Sequence, residues 1–465
     1  MNSDSSENKD ILKDMYIARA DRLPAWGLSY LLIFGLAFSF FITLYDVINI
    51  GFALPYIEFV TTAGEASLAA SLGLFGYAVG GPTLTIIADR IGRKPTLLFT
   101  ALLTSIGSFG DALAFNIPTL YLFRFITGMG IGGDLVLVMT YMSEMAPAVK
   151  RRSYVNLAFI GGWAGIGFGP FFSSLIVTTY PTVGWRYLFV IGGVIAIAVI
   201  VIRAISPETI RFLANKGKFK EADELIKKME ETSMKRAHVT SLPEPNVLEY
   251  KEENRGVFKT LFSRKYGKRL TVLFLFMFWQ YFVDYMFLAL APTWVKDILH
   301  VPGHELAYMI TLLGIAGLGA FIGSLMIRPF ADRFDIRKLS TIGVVGYTIG
   351  TTLMAIGGVY GIIYLFFSGA FIAELIGVGW YQAYYMMDAE NFPTSSRATG
   401  YGIADGLGHL GGAIGTAIFI PIVVALGSIL TWSVLWIPNL IMCIFLFLTL
   451  PNATGKRLEE INEAS

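Results

Sequence analysis

The chain has 465 residues, 55% of them hydrophobic and only 15% charged, with a mean hydropathy of +0.61. Soluble domains carry about 25% charged residues, so this balance points to a lipid-embedded chain and away from an ordinary soluble enzyme. The net charge of +2 says nothing for nucleic acid, because the basic residues sort by membrane side rather than forming one patch, so no such partner is expected, and a single Cys443 excludes an intramolecular disulfide or a cysteine-based zinc site.

Residues 1–27 are polar and of mixed charge, lack the apolar core of a cleavable leader, and read as a cytoplasmic tail. Twelve apolar spans follow, each long enough to cross a bilayer, which takes about 20 helical residues. They lie near 28–54, 66–87, 95–115, 119–145, 153–179, 185–205, 269–292, 305–327, 340–358, 361–387, 399–427 and 430–450. The expected class is an all-α membrane protein of twelve transmembrane helices in two six-helix bundles, 28–205 and 269–450. A hydrophilic segment, 206–268, joins them, and a tail, 451–465, ends the chain. In the segment, Glu221 to Glu231 has helical spacing and reads as a surface helix, while 236–256 reads as a linker. Outside the segment, an N-terminus-inside topology puts nearly all Lys and Arg on the cytoplasmic side. Both termini are therefore expected in the cytoplasm.

The two halves repeat. Asp89-Arg90-Ile91-Gly92-Arg93-Lys94 follows span 2, and Asp332-Arg333-Phe334-Asp335-Ile336-Arg337-Lys338 follows span 8, each with a glycine nine residues earlier, Gly80 and Gly323. Glu144, Pro147 and Arg151 after span 4 have the spacing of Glu390, Pro393 and Arg397 after span 10. Asp46 precedes Pro55 as Asp284 precedes Pro292. Duplication in a membrane protein places a site between the halves, near the midplane. Carboxylates and arginines recurring at the cytoplasmic ends read as a gate that pairs and separates: Asp89, Arg90, Arg93, Glu144, Arg151, Asp332, Arg333, Glu390 and Arg397. The positive-inside rule alone would explain the arginines but not the matched acids.

Charges within a span cost at least about 2.5–3.5 kcal/mol each and normally face a polar interior. Span 4 carries Arg124 and Asp134 around a run of small residues, Gly128 to Gly133, which lets a neighbouring helix come close. At about 1.5 Å per residue, Asp46 lies roughly 9–12 Å below the outer end of span 1. Arg124 lies about 8 Å below that of span 4, so the two are expected at one level. Asp134, about 15 Å further along, is a second proton site, a substrate contact or a plain buried hydrogen-bonding group. Asp284 mirrors Asp46. Glu374 and His409 are candidate substrate or titrating groups, since histidine changes charge near neutral pH. Asp111 and Asp388, near span ends, are expected to be solvated, and the role of Asp405 is open. Tyr45, Asn49, Trp163, Gln280, Tyr281, Tyr381, Gln382, Tyr384 and Tyr385 offer a mixed aromatic and amide lining for a small planar or hydroxylated molecule. Tyr381, Tyr384 and Tyr385 share one helical face by their spacing.

Gly80 with Asp89-Arg90-Ile91-Gly92-Arg93-Lys94 resembles the signature loop of the major facilitator superfamily, and the likeness covers essentially the whole chain. Arg124, Glu144 with Arg151, Pro207-Glu208 with Arg211-Phe212-Leu213, and Pro451 to Gly455 with Leu458-Glu459-Glu460 resemble its sugar-porter-related branch. Thr85 stands where that family usually has glycine. The sugar porters' glutamines and asparagine on spans 5 and 7 are largely missing. Gly130 to Asp134, with Asp46 and Asp284, is similar to phosphate:proton symporters, and Glu390 to Gly400 resembles organic-ion, aromatic-acid and nicotinate carriers. His409 occupies a place where anion carriers tend to have Lys or Arg.

The resemblance implies alternating access, with Asp46 and Arg124 as the proton-coupling pair, Asp134 and Asp284 assisting, and His409 with the span 10 tyrosines holding substrate. The expected function is proton-coupled symport of a small organic anion of the carboxylate type. Inorganic phosphate symport, and uniport or exchange of a sugar, polyol or organic cation, stay open as alternatives. No nucleotide loop, metal cluster or nucleophile–base set appears, so neither enzyme activity nor a cofactor is expected. The expected partners are the small-molecule substrate, protons and the lipid bilayer of the plasma membrane, with the chain acting as a monomer.

Overall fold

In lipid every backbone N–H and C=O must find its partner within the segment, so an apolar stretch of this length runs as helix until something caps it. The computed structural model describes residues 3–247, 256–331, 333–380, 382–393, 396–454 and 461. Twelve of its helices are long and apolar enough to cross a bilayer: Tyr30–Tyr56, Ala63–Ile91, Arg93–Leu113, Ile117–Met145, Ser153–Thr179, Gly184–Ala204, Arg264–Ile298, Glu305–Ile327, Ile336–Tyr360, Ile363–Asp388, Thr399–Leu426 and Ser428–Thr449. These are spans 1 to 12. Span 2 starts at a reciprocal cap, in which Thr62 accepts from the Glu65 N–H at 3.2 Å and Glu65 accepts from the Thr62 N–H at 3.0 Å. Span 3 begins at Gly92, where Glu208, from the stretch after span 6, accepts the N–H groups of Arg93 at 3.1 Å and Lys94 at 3.2 Å. A carboxylate there meets the positive end of the helix dipole.

The repeated glycines have a packing reason. A side chain at Gly80 would collide with the Met129 backbone of span 4, and one at Gly323 with the Leu375 backbone of span 10. Each half thus presses its second helix onto its fourth at the same point. Between the halves, Gly51 of span 1 lies against the Ala289 carbonyl of span 7, and Gly81 of span 2 against Gly406 of span 11. Pro170 of span 5 packs on Gly317 of span 8. Lys296 reaches the Pro55 carbonyl at 2.9 Å at one end of the bundles, and Thr399 reaches Asp89 at 3.4 Å at the other. The bundles therefore touch at both ends.

The polar segments outside the spans carry helices of their own. The N-terminal stretch is not a plain tail but a helix, Ser3–Asp21. The second helix, Phe219–Ala237, is longer than Glu221 to Glu231 and is docked rather than free, burying Ala222, Ile226, Met229 and Ser233. Arg19 pairs with Glu230 at 2.6 Å and Asp223 at 2.9 Å, and Arg22 pairs with Glu230 at 2.7 Å. Asp21 pairs with Arg151 at 2.6 Å and Arg211 at 3.0 Å. Burial works to raise the Asp21 pKa, but the charges of Arg211 and Arg151 outweigh it and hold the carboxyl below its ordinary value. An amphipathic helix spacing was legible in the sequence; its partner was not.

Candidate functional site

The charges expected to form the gate make a compact set in the first half. Arg93 pairs with Glu144 at 2.9 Å and with Asp89 at 3.0 Å, and Glu144 also accepts from Thr209 at 2.6 Å. These pairs hold the ends of spans 2, 3 and 4 together within the first half. Across the halves, the Thr399 hydroxyl donates to Asp89 at 3.4 Å. Arg90 and Arg333 are exposed, Glu390 is buried, and Asp332 lies outside the described residues. Arg151 is engaged by Asp21, and the same carboxylate senses the charge of Arg397 from the second half.

Deeper in the first bundle Asp46 and Arg124, expected to pair, each take another direct partner. Arg124 pairs directly with Asp111 at 3.3 Å, and Thr127 donates to Asp111 at 3.0 Å. Asp46 accepts from Ser108 at 2.5 Å. Asp111, expected to be solvated, is fully buried, as is Asp388. The position near a helix end was misleading because helix packing, not depth, shields these acids. Asp46 faces spans 3 and 6, with its carboxylate beside Gly192, and Asp284 faces Tyr347 of span 9, which donates to it. Both aspartates thus turn into their own bundles rather than toward the seam.

Asp134 is held by a partner that sequence reasoning missed. Arg203 of span 6 donates to it at 2.5 and 2.9 Å, with Thr100 at 2.7 Å and Thr43 at 2.9 Å completing the set. The available signal was an arginine inside an otherwise apolar run. An arginine close to the end of an apolar span is what the positive-inside rule already expects, so it does not stand out in the sequence.

At the seam between the bundles, a cluster forms around Asp405 and His409 of span 11. Tyr77 of span 2 donates to Asp405 at 3.1 Å, and Tyr281 of span 7 donates to it at 2.5 Å. The Tyr385 hydroxyl of span 10 lies 3.2 Å from that of Tyr281. His409 is stacked on Tyr77 with ring centroids 3.5 Å apart, and Tyr281 covers it from 3.9 Å. Phe159 of span 5 stacks on Tyr385 at 5.5 Å. Of the expected substrate residues, Tyr281, Tyr385 and His409 converge here, while Tyr77 and Asp405 are additions. A tyrosine with no charged neighbour in sequence, and an aspartate near a span end, offered little to single them out.

The others lie elsewhere. Gln280 accepts from Asn439 of span 12 at 2.5 Å, Tyr45 donates to the Leu188 carbonyl at 3.4 Å, and Asn49 accepts from Ser173 at 2.8 Å. Glu374 is buried beside Asp284 within the second bundle, and Trp163 is buried in span 5. Tyr384 packs edge-on against Phe276 at 5.2 Å. Tyr381 lies outside the described residues, as does the side chain of Gln382. Tyr384 and Tyr385 follow the π-turn and 3-10 turn of span 10, Ala373–Gly377 and Val378–Trp380, in one regular helical stretch, Gln382–Glu390. Adjacent helical residues point about 100° apart, so Tyr384 packs within the second bundle while Tyr385 reaches the seam.

A small cavity with room for about one water is lined by Gly73, Tyr77, Arg124, Gly128 and Tyr285, residues of both regions. Residues 32–464 match the family described as Sugar (and other) transporter. The chain belongs to that family. The niacin transporter NiaP of Acinetobacter baylyi is 27% identical, covering 85% of this chain and 88% of that protein. The 4-hydroxybenzoate transporter PcaK of the same organism is 29% identical over 75% of this chain and 74% of that protein. The inner membrane metabolite transport protein YdjE of Escherichia coli (strain K12) is 26% identical over 97% and 99%. Among solved structures, the major facilitator proton:xylose symporter XylE bound to 6-bromo-6-deoxy-D-glucose superposes with a TM-score of 0.74 at 19% identity, over 93% of this chain and 98% of that one. It shares the fold. This Sugar (and other) transporter family member is a multi-pass membrane transporter of a small-molecule substrate, not an enzyme.

Proposed function

We propose that the protein is a proton-coupled symporter that carries a small aromatic carboxylate by alternating access. The observation that carries this reading is the seam cluster of Tyr77, Tyr281, Tyr385, Asp405 and His409, which offers flat aromatic faces and hydroxyl donors to a planar ring. Relatives named for niacin and 4-hydroxybenzoate support the substrate class. Electrostatics supply the coupling. Two carboxylates about 4 Å apart repel by roughly 4 kcal/mol at an effective dielectric of 20, close to a thousandfold in affinity. An anion therefore enters a seam holding Asp405 only when that acid carries a proton. Asp46, Asp111 and Arg124 form a second proton-carrying set, in contact with the seam through the small cavity that Arg124 and Tyr77 line.

Inorganic phosphate fits less well, because among the described residues no Arg or Lys pairs with the seam acids. Asp284 remains a candidate for proton traffic in the second bundle. The cytoplasmic charges Asp89, Arg93 and Glu144 would stabilise the closed inner gate. The protein is read as a monomer of the plasma membrane with both termini in the cytoplasm.

Purified protein in proteoliposomes tests the proposal. Radiolabelled 4-hydroxybenzoate or nicotinate should accumulate under an inward-directed proton gradient and leave when an ionophore collapses it. Uptake that ignores the gradient, or that selects phosphate or xylose instead, would refute it.

A further inference from the structure

Spans 2 and 11 come close where Gly406 abuts Gly81 and Pro82. Span 11 is a π-turn there, Gly402–Gly406, a local distortion common at working sites. Asp405 sits within it, fully buried. Its two oxygens are divided between the bundles: Oδ2 accepts from Tyr77 of the first at 3.1 Å and Oδ1 from Tyr281 of the second at 2.5 Å. The groups facing it are Tyr77 from span 2, Tyr281 and Tyr285 from span 7, Tyr385 and Asp388 from span 10, and Tyr401 and His409 from span 11 itself. Among the described residues the only basic group within reach is His409, whose Nδ1 is 3.9 Å from Oδ1. That nitrogen is 2.8 Å from the backbone carbonyl of Asp405, and Nε2 is 3.1 Å from the Tyr285 hydroxyl. A ring donating from Nδ1 and accepting at Nε2 is the neutral tautomer, which supplies no charge to balance the carboxylate.

Resting on the symport reading above, we infer that Asp405 carries a transported proton and that its bond from Tyr77 is the tie between bundles which that proton loosens. An ionised carboxylate receives charge-assisted hydrogen bonds, about twice as strong as neutral ones, so ionised Asp405 binds the halves together and repels an anion. The proton taken up turns one oxygen into an O–H donor. The bond from Tyr77 then loses its charge assistance, and the new donor points to a substrate carboxylate. Proton and anion enter together and leave together. Nothing is oxidised or reduced, and the only covalent change is the O–H bond made on one side of the membrane and broken on the other.

The test uses the full-length protein and the variant Asp405→Asn, a permanent neutral analogue. Infrared difference spectra of the purified protein between mildly acidic and mildly alkaline pH need no substrate. Wild type should show a titrating protonated-carboxyl band that Asp405→Asn lacks. An unchanged band would overturn the inference and leave a purely structural acceptor. In proteoliposomes, one pH unit of gradient concentrates a singly coupled substrate about tenfold. Asp405→Asn should exchange labelled 4-hydroxybenzoate but no longer concentrate it, and a variant that still concentrates it sinks the idea. Should Asp405→Asn not fold, Tyr77→Phe keeps the carboxylate and removes the tie. It should speed exchange and flatten its pH dependence, and no change in either counts against the assignment. If wild type takes up neither aromatic acid, the substrate reading falls while the infrared band still decides the role of Asp405.

Discussion

Removing Asp134 alone should cost more stability than removing it together with Arg203. The two side chains are 4% and 2% exposed, and two guanidinium nitrogens of Arg203 donate to the two oxygens of Asp134. In Asp134→Leu the guanidinium stays buried without a counter-charge, a loss of about 3–5 kcal/mol. In Asp134→Leu with Arg203→Met both charges go, and such apolar replacements are often neutral or stabilising by about 1–4 kcal/mol. The released hydroxyls fall back on their own helices, where Thr43 already reaches the Ser39 carbonyl at 3.2 Å and Thr100 the Leu97 carbonyl at 2.9 Å. The assay is thermal unfolding of the four purified proteins in detergent, with monodispersity checked by size exclusion. Single variants should unfold well below wild type, and the double variant should recover most of the difference. Additive losses would refute the buried-pair argument. A double variant that folds but no longer concentrates substrate would return Asp134 to the proton path.

Asp111→Asn should lower proton-driven accumulation at least as much as Asp46→Asn does, because Arg124 loses its direct partner; initial rates of uptake in proteoliposomes decide it. Gly80→Val should lose about 1–3 kcal/mol or fail to assemble, the range for forcing extra volume into a packed interior, seen as a lowered unfolding midpoint or aggregation on size exclusion. At about 0–1 kcal/mol per partly exposed ion pair, the bonds from Asp21 to Arg151 and Arg211 sum to at most about 2 kcal/mol, so Asp21→Asn should raise hydrogen exchange in residues 11–21 by no more than about thirtyfold. Since the folded pKa of Asp21 lies below its ordinary 3.8, the stabilisation is fully present above 3.8 and fades as pH falls through the lower value. Exchange of that helix should therefore show no loss of protection between neutral and mildly acidic pH once the intrinsic rate is corrected. Loss of protection there would contradict the Asp21 assignment.

Hydropathy is a local property, and a lipid-spanning segment has almost no choice but helix. The twelve spans and the duplicated motifs with their glycines were therefore legible in the sequence, because each needs only the residues of its own stretch. Helical facing is not local: each residue turns the side chain by about 100°, and a polar face looks the same whether it meets a sister helix or the seam. Tertiary packing alone decided that Asp46 and Asp284 turn inward to their own bundles, that Arg124 takes Asp111, and that Arg203 closes on Asp134. In span 10 the turn of about 100° between neighbouring residues brings Tyr385 to the seam and Tyr384 into the bundle, and in span 11 Asp405, inside a π-turn, and His409 both reach the seam. The chain's composition placed it in a membrane; the rotation of each helix about its own axis chose which of its charges face one another.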